Sequence, residues 1–568
     1  MAERDDNPLI VQGDKTILLE VDNPRYEDAR DAIIRFAELI KSPEHVHTYK
    51  ITNLSLWNAA AAGMNVAPII SSLESFSRYD VPANVITDIE DYISRYGRLK
   101  LEKRDGDVVL RSDDEILMQE VIRNKKIQIY LTDEQIDART VVVKSGSRGY
   151  IKKALTDIGF PADDLVGYVK GEYLPFHLRD TTRSGLPFSL REYQIEAIDS
   201  FYADGSAAGG SGVVVLPCGA GKTIVGMGVM EKLETNTLII TTSTVASRQW
   251  RAELLDKMDI EEDVIGEYGG ERKEIKPITI ATYQILTYRP RKSEDETNFP
   301  HFYLFNERNW GLIIYDEVHL LPAPVFRVTA ELQAMRRLGL TATLIREDGR
   351  EKDVFSLIGP KKYDALWKEL EQQGWIAEAV CNEIRLKMDE EQRLQYALAA
   401  DRNKYRIAAE NPHKYALARR IVDYHRERGD RILVIGTYLD QLERMAKLLN
   451  ANLLTGKTPN KERMKLYDDF RSGEQDVMVV SKVANFAVDL PDANVAVQIS
   501  GTFGSRQEEA QRLGRLLRPK EDGSSAFFYT LVSKDTKDQD FGAKRQLFLT
   551  EQGYKYVIRD DFLGDVGC

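Results

Sequence analysis

Between about Ser184 and Ser533, short runs of apolar, largely β-branched residues alternate with amphipathic stretches of helical length. The runs Val213 to Leu216, Thr237 to Thr242, Ile278 to Ala281 and Leu312 to Tyr315, and then Arg431 to Ile435, Val477 to Val480, Val495 to Ile499 and Phe527 to Val532, are apolar on both faces. That pattern predicts strands covered from both sides, and such strands separated by helices form parallel, doubly wound sheets. One sheet of this kind rarely exceeds about 250 residues, so the pattern predicts two lobes. The junction is expected near Gln372 to Gly374, after a helical pattern at Tyr363 to Leu370 and before the strand-like Ala379 to Leu386. Glu390 to Tyr424 reads as a helical insertion in the second lobe.

Upstream of about Asp180 the texture changes. Ala29, Ile33, Phe36, Ala37 and Ile40 make a helical stripe over Glu27 to Ile40, and Leu54 to Met64 is Ala-rich and helical in pattern. Short β-like runs follow at Val108 to Leu110, Ile127 to Leu131 and Thr140 to Val143. The expected organisation is an α+β accessory domain over 1–180, a first lobe over 181–373, and a second lobe over 374–568 with its insertion at about 390–424. No internal repeat and no long low-complexity stretch stands out.

Composition narrows the class. The 568 residues are 43% hydrophobic and 30% charged, which is globular usage. No apolar run reaches the roughly twenty residues that span a bilayer, and Met1 to Asp6 lacks the basic and then apolar layout of a secretory signal. Cys218, Cys381 and Cys568 are scattered without metal-ligand spacing. A cytoplasmic protein with no membrane partner, disulfide or zinc site is expected. Lys plus Arg minus Asp plus Glu is 78 minus 90, or −12, so any contact with nucleic acid must use local basic surfaces.

The candidate chemistry lies in three segments. Leu216-Pro217-Cys218-Gly219-Ala220-Gly221-Lys222-Thr223 follows a predicted strand and precedes a helical pattern, as a phosphate-binding loop does. Leu216 stands where the usual pattern has Gly, but Gly219 and Gly221 still permit close backbone approach to phosphate oxygens. Lys222 would pair with the β and γ phosphates of ATP, and Thr223 would bind Mg²⁺; an ordinary Gly-rich turn is the plain alternative. Asp316 and Glu317 close the strand run Leu312 to Tyr315, where Asp316 could hold Mg²⁺ and Glu317 act as general base. Alone they could equally be a capping pair. In Gln511-Arg512-Leu513-Gly514-Arg515-Leu516-Leu517-Arg518, Arg515 and Arg518 are helical neighbours suited to charge developing on a γ-phosphate; a solvated basic face is the alternative. ATP would then sit between lobes that close for hydrolysis.

With these motifs the chain resembles the XPB branch of superfamily two helicases, bacterial and archaeal XPB-like proteins above all. The resemblance is carried by Leu190-Arg191-Glu192-Tyr193-Gln194, the phosphate loop, Asp316 to His319, Leu340 to Thr343 and Arg346-Glu347-Asp348. It continues through Thr455 to Thr458, Ser481-Lys482-Val483, Gln511 to Arg518, Ala543 to Gln546 and Gln552 to Tyr554. It implies two RecA-like lobes and an ATP- and Mg²⁺-dependent motor that moves 3′ to 5′ on single-stranded or forked DNA and opens duplex in repair, or in transcription in relatives; the sequence itself leaves a partner nuclease open. Carried over by position, Arg191 and Gln194 would contact the nucleotide, with Gln194 recognising adenine. Thr341 and Thr343 would couple nucleotide state to DNA grip, and His319 would link the metal site to the segment around Gln511. Arg346, Glu347 and Asp348 match the charged motif linked to strand separation.

The resemblance also places a thumb-like element at the insertion, where Arg402, Lys404, Tyr405 and Arg406 mix cations with an aromatic ring that could grip a nucleic-acid backbone, a solvated helix face being the alternative. Ala484 to Leu490 departs from the family, lacking the usual Gly-rich coupling motif while keeping Asp489. Trp250 reads as packing, and the basic run Arg123 to Lys126 as surface. A duplex translocase without processive unwinding, an RNA helicase and a nucleic-acid-binding scaffold with a decayed ATP site are the competing readings.

Overall fold

A computed structural model describes residues 6–42, 45–206, 209–217, 219–270, 272–289, 299–332, 335–343, 351–481, 493–501, 513, 516 and 525–562. The chain divides into two compact units: Met1–Glu38, Thr48–Leu216 and Gly221–Ala365 form the first, and Leu39–His47, Pro217–Ala220 and Leu366–Cys568 the second.

The first unit holds a seven-stranded sheet of Ser211–Val215, Thr237–Thr241, Ile265–Tyr268, Ile278–Thr282, Leu312–Asp316, Arg336–Thr341 and Lys361–Asp364. Numbered along the chain, these strands lie side by side in the order 3-4-2-5-6-1-7, and every pairing is parallel. The second unit builds its own seven-stranded sheet from Ala379–Leu386, Ile432–Gly436, Asn452–Leu454, Val477–Ser481, Val495–Gln498, Ala526–Ser533 and Tyr556–Arg559. Its order is again 3-4-2-5-6-1-7, and again wholly parallel. The architecture is therefore repeated although the sequence shows no repeat. Topology depends on which short runs are buried on both faces, and many different apolar residues satisfy that.

Each sheet is covered by helices whose apolar stripes face it. Helix Lys222–Leu233 buries Ile224 to Met230 without interruption, and its Gly226 and Gly228 allow Trp250 and Ile198 to approach closely. In the second unit, helix His413–Arg426 buries Leu417, Ala418, Ile421 and Val422 against Val434, Val497 and their neighbours. The segment read as one helical insertion comprises three helices, Glu390–Leu398, Asp401–Ala409 and His413–Arg426. By its place directly before the second strand, the last is the regular crossover helix of the sheet.

Local expectations needed correction in three places. The helical pattern at Tyr363 to Leu370 is split: Lys361–Asp364 is an edge strand on Ser211–Val215, and the helix begins only at Trp367. The apolar stripe over Glu27 to Ile40 outruns its helix, which stops at Ile33; Phe36 and Ala37 are buried in the turn, and Glu38–Lys41 is strand. Ile127 is not in a strand but in the short helix Lys125–Gln128, started by the Asn124 side chain accepting a hydrogen bond from the Lys126 amide at 3.0 Å.

The amino-terminal region contains a five-stranded sheet of Leu99–Arg104, Asp107–Ser112, Leu131–Asp137, Thr140–Val143 and Asp163–Asp164. It packs into the same compact unit as the first parallel sheet. Helix Glu351–Leu357 is the meeting point: Lys153 Nζ lies 2.6 Å from Asp353, Ser356 Oγ 3.1 Å from Thr156 Oγ1, and Phe355 takes the rings of Trp57 and Tyr96 at centroid distances of 6.4 Å. The Lys361 amide donates to Asn58 Oδ1 at 3.1 Å.

Candidate nucleotide site

Strands five, six and one are neighbours in the first sheet, so their carboxyl ends bring three segments together. Asp316 pairs in register with Leu340, Val215 pairs with Thr341, and the Leu216 amide donates to the Thr341 carbonyl at 3.0 Å. Open parallel sheets place ligand chemistry at this edge.

The loop after Val215 turns into helix Lys222–Leu233 through glycines with positive φ, Gly219 at 85° and Gly221 at 81°. A Cβ on Gly221 would also fall 2.5 Å from Gln194 Nε2, so both the backbone conformation and the approach of Gln194 require glycine. Gln194 is buried and its Oε1 accepts the Arg191 amide at 3.0 Å, closing the start of helix Glu192–Tyr202, while Arg191 Nη1 donates to the Tyr193 hydroxyl at 3.1 Å.

Lys222 Nζ stands 3.5 Å from Glu317 Oε1, and the other carboxylate oxygen of Glu317 lies 3.4 Å from His319 Nδ1. Glu317 has φ of 50°, a left-handed conformation that non-glycine residues adopt at some cost and that concentrates at functional sites. His319 continues the chain of contacts to Thr341 Oγ1 at 2.6 Å; that hydroxyl donates to the Thr343 carbonyl at 2.6 Å and accepts the Thr343 amide at 3.1 Å. With its one proton given to Thr343, Thr341 must accept from His319, which places a proton on Nδ1. Thr341 and Thr343 are thus wired to the acidic segment through His319.

Asp316 is half-buried, and its carboxyl is pushed up, chiefly by desolvation and then by the Glu317 charge, despite a 3.0 Å hydrogen bond from Trp250 Nε1. Burial also opposes ionisation of Glu317, but Lys222 and His319 hold its carboxyl below the usual range. The two neighbouring carboxyls are thus pushed in opposite directions. The donor set fits Mg²⁺, which takes one or two protein oxygens and completes its shell with water and phosphate. No cluster of three or more His, Cys, Asp or Glu side chains able to enclose a metal occurs among the described residues.

Sequence reasoning missed two features here. Trp250, read as packing, is buried but also orients Asp316, and the Tyr283 hydroxyl donates to the Asp316 carbonyl at 3.1 Å. Beside them, a groove of about 870 Å³ is lined by Arg248, Arg251, Arg272 and Tyr288, with Gly269 and Gly270 leaving its floor open. Arg248 and Arg251 are neighbours on one face of helix Thr244–Lys257, but nothing in the local spacing brings Arg272 to them; it follows strand three.

In the second unit, Lys404 lies 3.8 Å from Asp401 with its ammonium over the Tyr396 ring, and the half-exposed Arg406 is tied to Glu410 and Asp440 at 3.1 and 2.8 Å. Tyr405, expected on the gripping surface, is instead buried at 2% exposure, because helical periodicity turns it inward between its cationic neighbours. Arg346, Glu347, Asp348, Gln511, Arg515 and Arg518 lie outside the described residues, as do Cys218 and the stretch 484–490.

Twin parallel sheets of one topology, with a glycine turn, an acidic strand end and the His319–Thr341 hydrogen bond meeting at neighbouring strand ends of the first, match the layout of nucleotide-dependent motors of the helicase class. The comparisons narrow that class. The ERCC3/RAD25/XPB C-terminal helicase model matches residues 370–563, a helicase conserved C-terminal domain model 9–135, and the model for the Type III restriction enzyme res subunit 187–346. The chain is 55% identical to the DNA 3'-5' helicase XPB of Kineococcus radiotolerans, over 98% of this chain and 97% of that protein. It is 55% identical to the same-named protein of Mycobacterium tuberculosis, over 98% and 99%. It is 32% identical to the general transcription and DNA repair factor IIH helicase/translocase subunit XPB/SSL2 of Saccharomyces cerevisiae, over 97% of this chain and 71% of that one. The chain belongs to the XPB family of helicases.

Proposed function

We propose that the chain uses ATP with Mg²⁺ to translocate 3′ to 5′ on DNA and open duplex during cytoplasmic DNA repair, exposing strands to a partner nuclease. The observation that carries this reading is the convergence of Lys222, Asp316 and Glu317 beside adjacent strand ends, with Glu317 in charge contact with His319 and His319 hydrogen-bonded on to Thr341 and Thr343. Lys222 and the glycine turn hold the phosphates, and Thr223 and Asp316 take Mg²⁺, which polarises the γ-phosphate when bound. Glu317 removes a proton from the attacking water, Gln194 and Arg191 hold the base, and Arg515 and Arg518, with Gln511, meet the charge that develops in transfer.

DNA contacts are assigned to Arg346, Glu347 and Asp348 for strand separation, and to Lys404 and Arg406 on helix Asp401–Ala409. The arginine-lined groove beside Tyr288 adds a surface able to hold phosphates and stack a base. The domain reading is a 1–180 accessory domain followed by two motor lobes. ATP turnover with and without single-stranded, forked and duplex DNA, together with strand displacement in both polarities, tests the whole. Turnover stimulated by RNA but not DNA would remove it. Translocation with no displacement of a forked duplex would favour the translocase.

A further inference from the structure

Two helices wall the arginine-lined groove of the first unit, and each of them also reaches Asp316. Helix Thr244–Lys257 brings Arg248 and Arg251 to the groove, while Trp250 between them is 2% exposed and donates from Nε1 to Asp316 Oδ2 at 3.0 Å. Helix Tyr283–Leu286 repeats the arrangement. Its Gln284 and Ile285 line the groove, whereas Tyr283 is buried and its hydroxyl donates to the Asp316 carbonyl at 3.1 Å. Successive positions on a helix point about 100° apart, so one short element can serve both sides.

The two contacts hold different parts of one residue. Trp250 sets the direction of the carboxylate. Tyr283 holds the carbonyl of the peptide that joins Asp316 to Glu317, and Glu317 follows that peptide with φ of 50°. Trp250 is also wedged against the helix that follows the phosphate loop, where a Cβ on Gly226 would fall 2.6 Å from its ring. In so close a packing the indole cannot shift without pressing on an element of the nucleotide site. A nucleic-acid backbone drawn against Arg248, Arg251 and Gln284 bears on the same two helices that orient Asp316.

We propose that Trp250 and Tyr283 are positioning residues that tie occupancy of the groove by single-stranded DNA to the hold of Asp316 on Mg²⁺, so that DNA tightens the metal. This rests on the DNA-dependent ATPase reading above. The coupling is reciprocal, the metal tightening DNA by the same factor.

The experiment uses the full chain with a non-hydrolysable ATP analogue, Mn²⁺ as the probe for the metal and a single-stranded oligonucleotide. Mn²⁺ bound to the protein is counted by electron paramagnetic resonance across a titration, with saturating DNA and without it. In wild type, DNA lowers the Mn²⁺ concentration for half-saturation roughly three- to tenfold, the scale of one hydrogen bond. Tyr283→Phe keeps the ring and removes only the hydroxyl; in it, and in Trp250→Phe, the shift drops to less than about twofold. Arg272→Ala alters the groove from a residue on neither helix, so it needs more DNA but keeps the full shift at saturation. A wild-type shift in either helix variant, or its loss in Arg272→Ala at saturating DNA, would overturn the coupling. So would a wild type whose ATP turnover DNA accelerates with no change in Mn²⁺ binding. A wild type that neither binds DNA nor turns ATP over faster with it would sink the DNA-dependent reading, and this inference with it.

Discussion

Lys222 and Lys414 stand at corresponding places in the two sheets, each at the start of the crossover helix that leads into the second strand, yet their surroundings are opposite. Lys222 lies 3.5 Å from Glu317, with side chains 12% and 18% exposed, and Glu317 is shared with His319. Lys414 lies 2.6 Å from Asp538 with both side chains at 0%, and donates besides to the Ile499 carbonyl, while Asp538 also accepts the Ser533 amide at 3.0 Å. The turns before the helices differ in the same sense. Gly219 and Gly221 open the first; in the second, Asn411 Oδ1 accepts the His413 amide at 3.1 Å and so covers a helix-end donor that could have faced an anion. One scaffold thus supports two uses of the same cation: in the first sheet it stays poised in a partly solvated pocket, and in the second it is sealed into the core.

If that contrast is right, Lys222→Ala should abolish ATP turnover while leaving the melting temperature close to wild type, because little packing depends on the amine. Glu317→Gln should bind ATP and lose roughly 10²- to 10⁴-fold in hydrolysis. Wild-type hydrolysis in either would dissolve the contrast. Next in size, Arg518→Ala should bind ATP nearly normally and turn it over about a thousandfold more slowly, the scale of an arginine finger; weakened binding at an unchanged rate would place this arginine elsewhere.

Lys414→Met should act on stability instead. Stranding Asp538 in the core should cost about 3–5 kcal/mol in denaturant unfolding of the second unit, whereas Lys414→Met with Asp538→Leu should recover most of it. A double variant as unstable as the single would mean the lysine does more than neutralise its partner. Replacing Arg346, Glu347 and Asp348 together with Ala should lower strand displacement per ATP consumed and spare basal hydrolysis; an unchanged ratio would make the motif plain surface. The smallest effect is expected from Trp250→Phe, which keeps the packing on Gly226 but removes the donor to Asp316. The Mg²⁺ concentration needed for half-maximal turnover should shift severalfold, about the worth of one hydrogen bond to a carboxylate, and an unshifted value would leave Trp250 a packing residue.

What the sequence disclosed about the fold follows a physical line. The strands read from apolar runs are mostly interior strands, buried on both faces. Ile265–Tyr268, Lys361–Asp364, Asn452–Leu454 and Tyr556–Arg559 went unread because they are the edges of their sheets, short and partly exposed, with no continuous apolar run to announce them. Arg336–Thr341 is interior but opens on two arginines. Arg337 can be wholly buried because its guanidinium bonds the Leu357 carbonyl at 2.8 Å and Ser211 Oγ at 3.3 Å over the Tyr168 ring, partners that only the assembled fold supplies. The phosphate loop and the Asp316–Glu317 pair were legible because backbone chemistry fixes their spacing. The Trp250 contact was not, since a tryptophan in a helix looks the same whether or not its nitrogen meets a carboxylate 66 residues away.

The clasp between the amino-terminal region and helix Glu351–Leu357 has a consequence for biosynthesis. Its hydrogen bonds join Thr156 to Ser356 and Asn58 to Lys361, separations of 200 and 303 residues. On the ribosome, the amino-terminal sheet is complete long before its docking helix exists. At about 5–20 residues per second, the 200 residues between Thr156 and Ser356 take roughly 10–40 s to make. Throughout that interval Trp57 and Tyr96 lack the Phe355 ring that they meet in the folded chain, at the stage when the first parallel sheet is only partly translated.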